Sequence, residues 1–460
     1  MKPTQNKIVF LNILSTIVIQ GINFFVSPIF SRLLGTSNYG IVTVYNTWVS
    51  IFSTVLSLQA ASTFAIARSN FPEEDQPKYQ SSVLSLAALS YVSLSIVILL
   101  VCLLFIPSVN LQILIMSLMQ GLFVYIIGAV NSKLTFEFKA DKNFIIALVL
   151  AISNVLVSLL FVYNMPKDIN YMGRIYGQVL SNGVISILLF SLVLRSGKTF
   201  YNEDYWKFTL PIAIPTIFHL LAGLLLNQSD KLMLQNLIGN SVVGIYGLAT
   251  NLANVLAVIY GSLNNSWVPF YFEYMRNNDI DEIRTHARNY IQIYTILTCG
   301  FILLCPEVYR VFASKDFWDG AGLLPFFAIG QFFVFLYSFP VNYEFFHKKT
   351  KVIATGTTLA AIFNIILNII FIKRFEMIGA AIATMIAHML QFLFHYYMAR
   401  TKIKGNFPYR LSLFYSSVVT VILTAIISFF LGNYAVIRWA IGIILGLYLI
   451  NVMIKRKSFF

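Results

Sequence analysis

Long apolar runs separated by short charged breaks dominate this chain. Fourteen such runs are visible, with approximate limits 8–34, 40–66, 80–106, 109–131, 143–164, 170–194, 206–237, 242–272, 285–313, 321–345, 351–372, 377–400, 410–431 and 434–454. A helix rising ~1.5 Å per residue needs ~20 apolar residues to cross a hydrocarbon core ~30 Å thick. Each run is long enough. The first is too long for a signal-peptide core and lacks a small-residue cleavage site, so it reads as a true span. The pattern predicts an all-α integral membrane protein with about 14 transmembrane helices.

Composition agrees. Of 460 residues, 58% are hydrophobic and only 11% charged, against ~25% charged in an ordinary soluble domain. A soluble fold, disorder and a disulfide scaffold are excluded. Cys102, Cys299 and Cys305 all fall in apolar runs with no Cys-x-x-Cys spacing, so no zinc site is implied. The net charge of +14 suggests nucleic acid at first sight, but its distribution points to a membrane. Assigning both termini and every second loop to one side places 23 of the 32 Lys and Arg there. The positive-inside rule puts that side, with both termini, in the cytoplasm. Trp206, Trp267, Trp318 and Trp439 fall near predicted span ends, where an amphipathic ring prefers to sit. The short loops leave no room for an extramembrane domain.

The chain is also similar to itself. LGTSNYGI (34–41) and IGNSVVGI (238–245) share the order apolar-Gly-polar-Ser-x-x-Gly-Ile at an offset of 204. Residues 135–161 align with 345–371 without a gap, pairing Phe136 with Phe346, Lys139 with Lys349, Asn154 with Asn364 and Phe161 with Phe371. Gly173 then pairs with Gly379. The order of these matches predicts two homologous six-helix lobes, 1–200 and 201–405, followed by a helix pair at 406–460. An even number of helices separates the copies, so the repeat is parallel, with substrate expected at a central cavity between the lobes.

Polar side chains inside spans must face protein or a cavity. Asn46, Ser50, Ser53 and Ser57 recur every three or four residues, and the same spacing leads on through Ala60 and Phe64 to Arg68. They would form a polar stripe ending in a cation. The first run carries Asn23 and the eighth Asn251, Asn254 and Asn265. These stripes read as a cavity wall or as helix–helix packing. His219 and Asp230 lie eleven residues apart on nearly one face, and Asp230 precedes Lys231. They are candidates for ion coupling, or for a pair near the membrane surface. Arg32, Arg174 and Lys231 fall at one predicted level and would make a cationic outer mouth if they converge; each could instead snorkel. His388, Gln391 and His395 share a face and read as hydrogen-bonded structure. Glu307 and Arg310 are spaced to satisfy each other. Pro28, Pro211 and Pro215 would bend equivalent helices.

Several motifs carry nothing. Asp279-Ile-Asp281 sits in a short charged loop and reads as solvated surface. There is no Walker loop and no nucleophile elbow. Energy for any transport would come from an ion gradient, the membrane potential or the substrate gradient. No cofactor or metal is expected.

SRLLGTSNYG (31–40), FTLPIAIP (208–215) and NQSDKLMLQNLIGNSVVGIYGLATN (227–251) resemble the polysaccharide-flippase branch of the multidrug/oligosaccharidyl-lipid/polysaccharide exporter superfamily. The resemblance implies two lobes around a central cavity. It implies transport of an undecaprenyl-diphosphate-linked oligosaccharide from the cytoplasmic to the periplasmic leaflet of the bacterial inner membrane. O-antigen, capsule or exopolysaccharide synthesis would be the purpose, with membrane lipid and polysaccharide polymerase machinery as partners. The family's Arg-x-x-Gly maps onto Arg32 and Gly35, and its Asp-Arg onto Asp230 and Lys231, where Lys replaces Arg. The last helix pair could form a groove for the lipid tail. An ion-coupled drug or cation antiporter is the alternative, but it would want acidic residues in the cavity. A membrane polymerase or ligase would need a large outer loop. No nucleic acid and no catalytic residue is expected.

Overall fold

A computed structural model describes the backbone of residues 5–432 and 434–455, and the side chains of residues 21, 24, 26–432, 434–448, 450 and 451. The described chain is all helix and connection. The helices are α1 (Gln5–Leu56), α2 (Phe64–Asn70), α3 (Gln76–Phe105), α4 (Leu111–Phe136), α5 (Ala140–Tyr163), α6 (Asn170–Gly197) and α7 (Glu203–Leu237). They continue with α8 (Asn240–Asn277), α9 (Ile280–Phe312), α10 (Leu324–Phe346), α11 (Thr350–Thr401), α12 (Ser412–Phe430) and α13 (Ala435–Lys455).

Two of these are each a pair of spans. α1 is broken at Gly35 (φ 71°, ψ 175°), where the first expected run gives way to the second. α11 is broken at Glu376 (φ 48°, ψ −127°), between the eleventh and twelfth. The other long helices match single expected runs within a few residues. The molecule is therefore a multi-pass membrane protein of about fourteen spans. One boundary differs from expectation. The second run does not continue as a helix to residue 66: Leu58 and Gln59 take left-handed backbone (φ 53° and 49°), and the chain bends by 57° into the short segment 60–70.

The chain packs as two compact units, residues 1–232 and 233–460. In the first, α6 packs on α3, α4 and α5, and α1 packs on α4 and α5. Lipid tails are as apolar as leucine, so these helices hold together by close approach and by hydrogen bonds rather than by the hydrophobic effect. Glycines supply the approach. A Cβ on Gly173 would stand 2.8 Å from the backbone of Phe161 and Val162, and one on Gly177 2.6 Å from the Ser158 amide. Hydroxyls supply the bonds: Tyr79 Oη pairs with Thr63 at 2.7 Å and Thr209 at 2.8 Å. Trp206 Nε1 donates to the Ser82 carbonyl and hydroxyl.

In the second unit, α10 packs on α8, α9 and α11, while α12 and α13 pack on α9. Its core is aromatic; the Tyr294 and Phe335 rings stack at 4.2 Å. Trp267, expected at an interface, is 1% exposed in this core. The side chains left uncovered, such as Leu104, Phe105, Leu160, Phe429 and Val436, are apolar, as a lipid-facing surface requires.

The repeat is realised in backbone detail. The paired Gly35 and Gly239 both take positive φ with extended ψ (71°, 175° and 131°, 174°), a conformation open mainly to glycine. Phe138 and Lys348, 210 residues apart, both have φ 57°. Gly173 lies against the Phe161 backbone and Gly379 against that of Phe371, so matched glycines meet matched phenylalanines.

Candidate functional site

The first unit holds a polar group deep between α1 and α7. Asp230 is 2% exposed. Its Oδ1 accepts the Lys231 backbone amide at 2.8 Å. Lys231 Nζ donates to Gln228 Oε1 at 2.6 Å, and Thr47 Oγ1 approaches the same oxygen at 3.4 Å. One amide thus collects a cation from its own helix and a hydroxyl from α1. Gln228 and Thr47 were not singled out in the sequence, since a glutamine one turn before a lysine carries no signature of its own. His219 is exposed on the same helix; eleven residues of rise put it ~16 Å away along the axis. It is not brought together with Asp230.

The remaining candidates take separate places. Arg32 is exposed, just before the Gly35 break. Arg174 places its guanidinium 4.1 Å over the Phe30 ring and donates to Ser158 Oγ at 2.8 Å and the Asn154 carbonyl at 3.2 Å. Its fork is taken up by α1 and α5. Asn46 is exposed, and Ser50 bonds back to its carbonyl at 3.0 Å. Ser57 is buried; it accepts the Gln59 amide at 3.2 Å and donates to the Ser53 carbonyl at 2.7 Å. It closes the break that follows α1. Because of that break, Asn46 to Ser57 and Ala60 to Arg68 do not form the single continuous stripe that helical spacing predicted. Arg68 is exposed on α2, 5.4 Å from the Phe138 ring. Asn251 is exposed on α8, as are Asn254 and Asn265. The Asn23 side chain lies outside the described residues.

One expected pairing is replaced. Glu307 does not pair with Arg310. It receives Arg438 of α13 and Trp439 Nε1, the latter at 3.2 Å, while Arg310 lies over the Trp318 ring. His395 is hydrogen-bonded to an acid: its Nδ1 is 2.7 Å from Glu344 Oε2, with both side chains wholly buried. His388 meets Gln391 at 3.4 Å. Among the described residues, no group of three or more His, Cys, Asp or Glu side chains could hold a metal. Asp281 is solvent-exposed beside Arg284, matching a solvated Asp-x-Asp.

The breaks, paired glycines and buried polar groups belong to a multi-pass membrane protein whose fold is that of the multidrug/oligosaccharidyl-lipid/polysaccharide exporter superfamily. The chain superposes on the lipid II flippase MurJ in an inward closed conformation with TM-score 0.72, at 19% identity, covering 97% of this chain and 99% of that one. It superposes on an inward-facing multidrug resistance transporter of the MATE family with TM-score 0.63, at 14% identity, covering 86% and 100%. A curated relative, described as an uncharacterized membrane protein of Haemophilus influenzae, is 22% identical over 371 residues, 78% of this chain and 89% of its own. Residues 6–275 match the polysaccharide biosynthesis protein family and residues 308–450 the lipid II flippase MurJ family. The chain belongs to the polysaccharide biosynthesis protein family, a flippase family of that superfamily.

Proposed function

We propose that this protein flips an undecaprenyl-diphosphate-linked oligosaccharide from the cytoplasmic to the outer leaflet of a bacterial inner membrane, by alternating access, and that both its termini are cytoplasmic. The glycan would feed O-antigen, capsule or exopolysaccharide synthesis, with a polymerase acting next. The lobes would divide near residue 200, with the pair at 406–460 added to the second.

One observation carries the reading. Asn46, His219, Asn227, Asn251, Asn254 and Asn265 stand exposed on long apolar helices. Exposed amides and an imidazole are costly against lipid, so each belongs beside water. Amides suit sugar hydroxyls, which both donate and accept. Arg32, Arg68 and Lys231 would meet the diphosphate, while the polyprenyl tail stays in lipid. The acids favour this reading over a cation antiporter. Among the described residues the buried carboxylates are Asp230 and Glu344; the first accepts the Lys231 backbone amide and the second lies in hydrogen-bond contact with His395.

The test is deletion in the native host, with a glycan probe confined to the outer leaflet. Lipid-linked units should accumulate out of the probe's reach, and wild type should release them while Asn251→Leu/Asn254→Leu does not. Units that reach the outer leaflet normally but stay unpolymerised would reject the flippase and favour an enzyme.

A further inference from the structure

The Glu344–His395 pair lies outside the proposed path and has its own chemistry. α10 supplies Glu344 and the second half of α11 supplies His395, with Glu344 Oε2 and His395 Nδ1 2.7 Å apart and no exposure of either side chain. The first half of α11 closes the site. A Cβ on Gly356 would collide with His395 Nε2, so only glycine admits the imidazole. Glu344 Oε1 and His395 Nε2 are buried without a hydrogen-bond partner among the described residues. A purely structural link would be expected to satisfy these atoms too.

The surrounding groups do not neutralise the pair. Tyr337 of α10 stands with its ring 5.0 Å from the imidazole. Tyr343 and His347 follow at the end of α10, their rings 4.4 Å apart. Tyr260 of α8 is close enough to Tyr337 to act on it electrostatically. Tyr409, in the segment after α11, is buried in the same aromatic core. Lys349 meets Glu344 only through its backbone amide, 2.8 Å from the Glu344 carbonyl, and Arg400 is held by the Tyr396 hydroxyl at 3.2 Å. No second carboxylate is among them.

We propose that Glu344 and His395 form a proton-binding site that holds one proton while α10 and α11 are packed and releases it when they part. The balance is simple. A carboxylate beside a neutral imidazole carries one net negative charge; adding a proton, to either partner, makes the pair neutral overall. A buried net charge is strongly disfavoured, so the packed site keeps the proton. Once water enters, that cost falls; in water a carboxyl and an imidazole ordinarily lose their protons near ~4.3 and ~6.5. Above pH ~6.5 the proton then leaves to water. The break at Glu376 separates the half of α11 bearing His395 from the half bearing Gly356. By linkage, parting of these helices becomes about tenfold more favourable for each pH unit above that value.

The experiment is infrared difference spectroscopy of the full chain in lipid nanodiscs across pH ~6–9, comparing wild type with Glu344→Gln and His395→Asn. Wild type should show one titrating carboxyl–imidazole signal that is lost in both variants. Glu344 carboxylate and His395 imidazole bands that both stay constant throughout, or a titration unchanged in Glu344→Gln and His395→Asn, would overturn the proposal. If the variants fail to fold, carbon-13-labelled glutamate in the wild type reads the same band. Because no lipid substrate is involved, failure of the flippase reading would leave this result standing.

Discussion

Gly173 and Gly379 put the repeat at risk in a single measurement. Each is a buried helical glycine pressed against backbone, which cannot rotate away. An alanine at 173 would place its Cβ 2.8 Å from the Phe161 carbonyl carbon; at 379 it would run into the Phe371 carbonyl, with the Ile372 amide at 3.0 Å. Helix propensity alone favours alanine by ~1 kcal/mol. Overpacking of a tight contact costs ~1–3 kcal/mol, and here the obstructing atoms are main chain, so the upper end applies. The net is a loss of about 1–2 kcal/mol for Gly173→Ala and a larger one for Gly379→Ala. Gly128, with nothing within 4 Å of its added Cβ, is the control; there alanine should be neutral or stabilising. Thermal unfolding in nanodiscs, followed by tryptophan fluorescence, gives the order. Gly173→Ala and Gly379→Ala as stable as Gly128→Ala would refute the claim that matched glycines seat matched helices.

Arg438→Met should lower stability by about 3–5 kcal/mol, the cost of stranding one partner of a buried ion pair. Adding Glu307→Gln should recover part of that loss in the same unfolding assay; a purely additive double variant would deny the coupling. Lys231→Met, leaving Gln228 without its cation, should reduce outer-leaflet delivery about tenfold or more at unchanged protein level, with Lys231→Arg retaining activity. Equal delivery by all three proteins would remove Lys231 from the path. Glu137, after α4, is bonded by Lys139 at 2.6 Å and Lys133 at 3.4 Å. Burial pushes its carboxyl up, but the two lysines outweigh it and hold the group below its ordinary 4.5. A depressed carboxyl stabilises above its unfolded value and loses that contribution as pH falls through the folded one. Wild type should therefore exceed Glu137→Gln by up to ~1 kcal/mol at neutral pH, and the gap should close below pH ~4.5. A gap that persists in acid would contradict the assignment.

The spans were legible because lipid imposes one local rule, a run of apolar residues, and α3 to α10 obey it within a few positions. The repeat was legible too, since Gly35 and Gly239 need a backbone that other residues resist. What could not be read was long-range pairing. Glu307 has Arg310 one turn away in sequence, yet takes Arg438, which is 131 residues distant. Glu344 hides at the end of an apolar run, and nothing local links it to His395. The helical spacing from Asn46 to Arg68 was sound arithmetic applied across Leu58 and Gln59, where the backbone turns left-handed and the helix stops. Spacing finds faces; it does not find which face meets which.

The central claim is lipid-linked glycan transport, and reconstitution tests it most directly. Purified protein in sealed vesicles, given a polyprenyl-diphosphate oligosaccharide in both leaflets, should expose the inner-leaflet pool to a glycan-cleaving enzyme added outside. Protein-dependent cleavage beyond the outer half, reduced in Asn251→Leu/Asn254→Leu, is the predicted result. Cleavage that stops at the outer half with folded protein present would contradict the account.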